Sequence, residues 1–216
     1  MVIQMKSRST GKRNGTGMIV GGLLLLAAAL FLTGYNLWDE QRAGNEAASV
    51  LEQVLQVQED TVAFSTTEAF SYNYPTSEMQ MPSTSIDGNR YIGVLEFPKL
   101  GLTLPIISEW SEAKLRIAPC RYHGSVYAGD LVIAGHNYRS HFGRLQNLSV
   151  GDQVRFIDMD GNNFEYDVVE IEELDGTAIE EMVTGDWDLT LFTCTYSGQT
   201  RFTVRCAQKE PVSKEE

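Results

Sequence analysis

Residues Met18 to Leu37 form a run of twenty positions without a single charge. As a helix this run is about 30 Å long, the thickness of bilayer hydrocarbon, so it fixes the topology of the chain before any other signal is weighed. Lys6, Arg8, Lys12 and Arg13 precede it, and Asp39 and Glu40 follow. The positive-inside bias puts residues 1–17 in the cytoplasm and everything beyond Leu37 outside the cell membrane. Ala27-Ala28-Ala29 offers small residues for a signal peptidase, but they lie within the apolar run and no small-x-small site follows it. The expectation is a retained, single-pass transmembrane signal anchor over 18–37. No second apolar span appears, and 209–216 read as a polar tail.

Charge and cysteine usage narrow the function classes. Four of the 17 Lys and Arg residues precede the span while all 29 Asp and Glu follow it, so the outer part is strongly acidic and a nucleic-acid partner is disfavoured. Three cysteines, Cys120, Cys194 and Cys206, are too few for a disulfide framework. At most one bridge forms, and at least one thiol stays free in an oxidising compartment. Catalysis is one reason to keep it.

Between the span and the outer domain, residues 38–89 read as a stalk helix and a linker. Val50, Leu51, Val54, Leu55 and Val57 recur at helical spacing over Glu46 to Gln58, with a polar opposite face. Two heptads are too few to specify a coiled-coil dimer. Asp60 to Gly88 is rich in Ser, Thr, Tyr, Met and Pro without a sustained period. It reads as a spacer; Tyr72, Tyr74, Met79 and Met81 leave open a lid folded over a groove.

From Arg90 onward strand signals dominate, and 90–208 reads as the catalytic domain. Tyr91–Phe97 and Leu102–Ile107 are short strands, Asp130–Ala134 is an apolar run, and Gln153–Met159 and Asn163–Ile171 flank the hairpin signal Asp160-Gly161. Leu189–Cys194 and Arg201–Val204 are the last two strands, with Ser197-Gly198-Gln199 in the turn between them. Short helical pieces fit Ser111–Arg116, Phe142–Leu148 and Thr177–Val183. Seven or eight short strands with few helices predict a mostly all-β barrel or sandwich.

The chemistry gathers where strands end. Leu189-Thr190-Leu191-Phe192-Thr193 delivers Cys194 to a strand terminus, and Arg201 opens the next strand. A free cysteine is as often a core filler as a nucleophile. An isolated thiol near pKa 8.5 is mostly protonated at neutral pH, so a cysteine enzyme needs a proton-exchanging histidine and a donor for the developing oxyanion. Of the three histidines, His136 is presented by Leu131-Val132-Ile133-Ala134-Gly135 in the same way, whereas His123 and His141 stand in loop-like sequence and read as surface residues. Arg205 also shares a strand face with Arg201 by spacing and competes with it for the oxyanion role.

These segments resemble one family. Thr190-Leu191-Phe192-Thr193-Cys194 is similar to the TLxTC signature of sortases, the cysteine transpeptidases of Gram-positive cell surfaces. Ile92–Leu100 with Leu104-Pro105-Ile106, the Val132–His136 strand followed by Phe142-Gly143-Arg144-Leu145, and Arg201–Val204 resemble its other segments, in the same order. The resemblance implies an eight-stranded sortase β-barrel and a thiol protease-like site of Cys194, His136 and Arg201, with Thr193, Thr190 and Asn137 touching substrate. It implies cleavage of an LPxTG-like sorting signal through a Cys194 thioester and transfer to an amine. The partners implied are surface proteins bearing that signal and, as acceptor, a peptidoglycan precursor or a pilin lysine. The catalytic motif is similar to class B sortases, while the overall size resembles classes D and E. Hydrolysis of the same signal by a cysteine peptidase, and a non-catalytic assembly module, are the rival functions.

No cofactor and no metal are expected. Glu109, Glu112, Glu172, Glu173 and Asp175 offer loop carboxylates of the kind that bind Ca2+, but without EF-hand spacing they read as a solvated surface. Cys120 and Cys206 are either a bridge or two small core residues.

Overall fold

In the computed structural model, residues 14–67, 79–195 and 197–209 are described. They divide into two compact units between Asp39 and Glu40. The first contains the apolar part of helix α1 (Asn14–Thr67), whose residues 18–37 leave their large side chains uncovered; the helix is long and apolar enough to cross a membrane.

The second unit is a β-barrel. Strands β1 (Thr84–Ile86), β2 (Asn89–Phe97), β3 (Leu102–Ile107), β4 (Cys120–His123), β5 (Leu131–Gly135), β6 (Gln153–Asp158), β7 (Asn163–Asp175), β8 (Leu189–Cys194) and β9 (Thr200–Gln208) form one sheet. Its order is β1-β2-β3-β4-β5-β8-β9-β7-β6, and pairing of β6 back onto β2 closes β2–β9 into the expected eight-stranded barrel. Closure removes the exposed edges that an open sheet would present. The short β1 is appended to β2. Two helices, α2 (Glu112–Leu115) and α3 (Ile179–Val183), and a 3-10 turn over Phe142–Asn147 lie in the connections.

Side-chain alternation sorts the strands into two cores. Leu95, Phe97, Ile106, Ile133, Phe156, Tyr166, Leu189, Leu191 and Val204 fill the barrel interior. Tyr91, Val94, Ile107, Cys120 and Ala134 face outward into a second cluster. A bulge at Tyr91/Gly93 produces a phase change in β2: Ile92 joins Leu95 inside, while Tyr91 and Val94 point out. Gly93 has φ +152, and a Cβ there would sit 3.0 Å from the Cα of Asp158. The glycine is what lets β6 approach β2 and shut the barrel.

The outer cluster corrects the stalk reading. Val50 and Val54 of α1 belong to it, and Ala43 and Ala47 are also buried. Gln58 donates to the carbonyls of Asp158 (2.7 Å) and Ile157 (3.3 Å). The Glu46–Gln58 face therefore packs on β-barrel surface rather than standing free: its apolar stripe covers the outward residues of β2–β5. Within the linker, Tyr72 and Tyr74 lie outside the described residues, Met79 is exposed, and Met81 is buried in the interior core. The spacer reading thus fails at its C-terminal end. Cys120 and Cys206 are both free and belong to different clusters. Burial pushes the Cys120 thiol up to about 12 and raises that of Cys206 further.

Candidate active site

Strand register brings the three expected residues together. β5 and β8 run parallel with Gly135 opposite Thr193, so His136 and Cys194 leave neighbouring strands at the same end. β8 and β9 pair antiparallel with Cys194 opposite Arg201. Adjacent strands lie about 4.8 Å apart, which puts imidazole, thiol and guanidinium in a row along one rim. Cys194 is exposed, unlike the other two cysteines.

Local sequence explains how each is held. Gly135 packs against the ring of Phe142, and a Cβ at this position would overlap that ring; the Gly-His step and the phenylalanine six residues later are one packing unit. Gly143 allows the returning chain to approach Asn137 and Tyr138, since its Cβ would lie 2.8 Å from the Tyr138 carbonyl oxygen. His136 is stacked on Tyr138 (centroids 4.6 Å apart, 24° between planes). Its Nε2 lies 3.9 Å from an oxygen of Glu112 on α2. Arg201 donates to the carbonyls of Gly198 (3.0 Å) and Thr200 (3.1 Å), bonds confined to its own turn. Gly176 comes within reach of both the Gln199 carbonyl and the Arg201 guanidinium, where a side chain would collide. Asp175, across the ladder from Thr200, has its carboxyl held below the usual range by two hydrogen bonds from Thr177, with a smaller contribution from Arg201.

Two hollows meet at Thr193 and Cys194. One, of about 240 Å3, is an outer groove walled by Trp110, Leu115, Tyr122, Ile179, Met182 and Phe192, with Arg201 and Asp175 at one end. Trp110, Tyr122 and Phe192 stack edge-to-face along it. The other, of about 130 Å3, lies at the barrel mouth over Phe142 and Phe202, with Asn137, Gln146 and Glu173 in its lining.

The structure separates the two arginines that spacing left equivalent. Arg205 is 2% exposed and spends its donors on Glu172 (2.8 Å), the Glu181 carbonyl (2.7 Å), the Met182 carbonyl (3.2 Å) and Thr190 Oγ1 (3.0 Å). It ties α3, a wall of the outer groove, to the sheet. Thr190 is thus buried beneath the groove as an acceptor for Arg205 and lines neither hollow. Thr193 and Asn137 do line a hollow.

His141 corrects a second reading. It is fully buried beside Tyr138 (5.4 Å), and its pKa is pushed down to about 4 by desolvation, then by the charge of His136. The tight 3-10 turn that follows tucks it under the loop, something its polar neighbours in sequence conceal. His123 lies in β4 and is exposed, 4.0 Å from Asp130. The five acidic residues weighed as a Ca2+ site have separate partners: Glu109 pairs with Arg90 and Lys114, Glu112 approaches His136, Glu172 holds Arg205, Glu173 accepts from Thr200 and Asp175 accepts from Thr177. The approach of Glu112 to His136, the stacking of Tyr138 and the aromatic wall escaped the sequence because nothing in the local pattern marks them.

The family model for the sortase domain matches residues 95–209, more than half of the chain. The chain belongs to the sortase family. It is 32% identical to sortase D of Bacillus subtilis over 107 residues, 47% of this chain and 53% of that protein, so that match spans about half of the relative's length. It is 25% identical to sortase A of Bacillus anthracis over 182 residues, 82% of each chain. Among solved structures, the sortase D5 transpeptidase of Clostridium perfringens is similar with TM-score 0.52 and 20% identity, covering 72% of this chain and 99% of that one. Sortase C of Streptococcus pneumoniae gives TM-score 0.51 and 20% identity over 74% and 90%. These two likenesses are of fold. They match the closed eight-stranded barrel that carries the Cys194 rim in this sortase.

Proposed function

We propose that this sortase is a membrane-anchored cysteine transpeptidase whose nucleophile is Cys194. The observation that carries the reading is the register: the one exposed cysteine stands directly across from Arg201 and one strand from His136. The thiol attacks the carbonyl of an LPxTG-like sorting signal, and Arg201 donates to the oxygen as charge develops there. His136 exchanges the proton: it gives one to the departing amine and takes one from the incoming amine. Transfer to an amine of a cell-wall precursor completes the cycle. The apolar segment 18–37 serves as a single-pass anchor with 1–17 cytoplasmic and the barrel outside. In this scheme 90–208 is the catalytic domain, Thr193 and Asn137 contact substrate, and no cofactor is needed.

The test is direct. Detergent-solubilised full chain is mixed with an LPxTG-type peptide, with and without an amine, and products are weighed. Peptide joined to the amine is expected, together with a thioester adduct on Cys194 that Cys194→Ala abolishes. Product bearing only water in excess amine makes the protein a peptidase. Unchanged cleavage by Cys194→Ala refutes the nucleophile.

A further inference from the structure

Strand alternation assigns the two hollows that meet at the thiol to opposite faces of the barrel wall. Cys194 and Phe192 point outward into the apolar groove; Thr193 points inward with Leu189 and Leu191, at the mouth of the barrel. Thr193 is 4% exposed, and its Oγ1 is buried with no hydrogen-bond partner. Buried hydroxyls are nearly always satisfied, so this one marks a place where a polar group from outside belongs. Register continues the argument: Thr193 pairs with Phe202, and Phe202 pairs with Glu173, which puts all three on the same face. Glu173 is exposed at the rim of the hollow, opposite Asn137 and Gln146. Thr200 donates weakly to it (3.4 Å), which leaves most of its acceptor capacity open.

We propose that the barrel mouth is the acceptor site, and that it takes a cationic primary amine drawn in by Glu173 and oriented toward the thioester by Thr193. This rests on the reading of Cys194 as the acyl-forming nucleophile. An exposed carboxylate beside the reacting centre raises the local concentration of an ammonium group. The acyl chain occupies the outer groove, so the amine arrives from the other side of the sulfur. The ammonium first gives a proton to His136. Its nitrogen lone pair then attacks the thioester carbonyl, a C–N bond forms, and the C–S bond breaks. The sulfur leaves as thiolate and is reprotonated through His136; the second proton lost from nitrogen goes to solvent. Thioester and ammonium thus become amide, thiol and one released proton.

The experiment reads the partition of one acyl-enzyme between amine and water, so any general loss of activity cancels. Full chain in detergent is given an LPxTG-type peptide with triglycine, whose amine is charged at neutral pH, or with hydroxylamine, which is not. In Glu173→Gln the triglycine concentration giving equal aminolysis and hydrolysis is expected to rise about fivefold, the scale of an exposed ion pair, while that for hydroxylamine stays put. Thr193→Val is expected to lower aminolysis by both. Glu165→Gln, on the same strand β7 but paired with Arg155 away from this hollow, keeps the wild-type partition. An unchanged triglycine midpoint in Glu173→Gln, or an equal shift for both nucleophiles, overturns the acceptor site alone. Failure of the wild type to form any Cys194 adduct overturns the proposed function, and this site with it.

Discussion

Arg205 and Arg201 lie four residues apart on one strand, yet their replacement should have opposite consequences. In Arg205→Ala, the carbonyls of Glu181 and Met182 and the hydroxyl of Thr190 lose their donor in a buried setting. At about 1 kcal/mol for each acceptor left unsatisfied, this amounts to about 3 kcal/mol. Glu172 is 30% exposed at its side chain and rehydrates, so it adds little, and the lost stem packing takes the cost to about 3–4 kcal/mol. At roughly 2–4 °C per kcal/mol for a domain of this size, the melting temperature should fall by about 10 °C. Arg205→Lys should recover less than half of this, because a point charge reaches Glu172 but lacks the fork that engages α3. Arg201 bonds only within its own turn, so Arg201→Ala should stay within about 1 kcal/mol of wild type while losing acyl transfer. Thermal circular dichroism of the solubilised full chain measures both. Equal shifts for the two alanine variants would refute the structural role of Arg205.

Two further outcomes follow from burial. His141 is held neutral in the folded chain, so on acidification the unfolded chain takes up the proton first. Stability is whole above pH 6.5, falls by about 1.4 kcal/mol per pH unit below it, and levels off near the folded value of about 4. His141→Phe should flatten that slope in a series of melts at different pH; parallel curves would sink the assignment. The thiols behave just as unequally: one equivalent of a maleimide should react with the native chain, at Cys194, and three after denaturation. Labelling of Cys120 or Cys206 in the native state, or fewer than three equivalents after denaturation without reductant, would contradict the packing.

Much of the barrel was legible because it is written in local pattern. The strands around Leu102–Ile107 and Leu189–Cys194 match their observed limits, since alternating apolar and β-branched residues leave little choice of conformation. The short strands β1 and β4 were missed, being three and four residues long. Strand β9 runs on to Gln208 and β7 to Asp175, four residues beyond their expected ends, because the two pair with each other along those extensions, a long-range ladder that local pattern does not show. Helix α1 was seen only as two pieces, 18–37 and Glu46–Gln58, whereas it runs unbroken to Thr67 into the expected linker, and a period of 3.6 reveals an apolar face without saying what covers it.

The rim shows the same division. By itself the sequence determined that Cys194, His136 and Arg201 each sit where a strand meets a loop, because strand periodicity and turn residues are local properties. It also determined the twenty uncharged residues of 18–37, because hydrocarbon thickness is a matter of length and composition. Only the tertiary structure decided that Arg205 is a buried tie and Arg201 is not, and that His141 lies inside. It alone placed Thr190 below the groove while Thr193 opens onto the barrel mouth. Spacing gives the face a residue shares, whereas burial and hydrogen-bond partners depend on what the rest of the chain brings to that face.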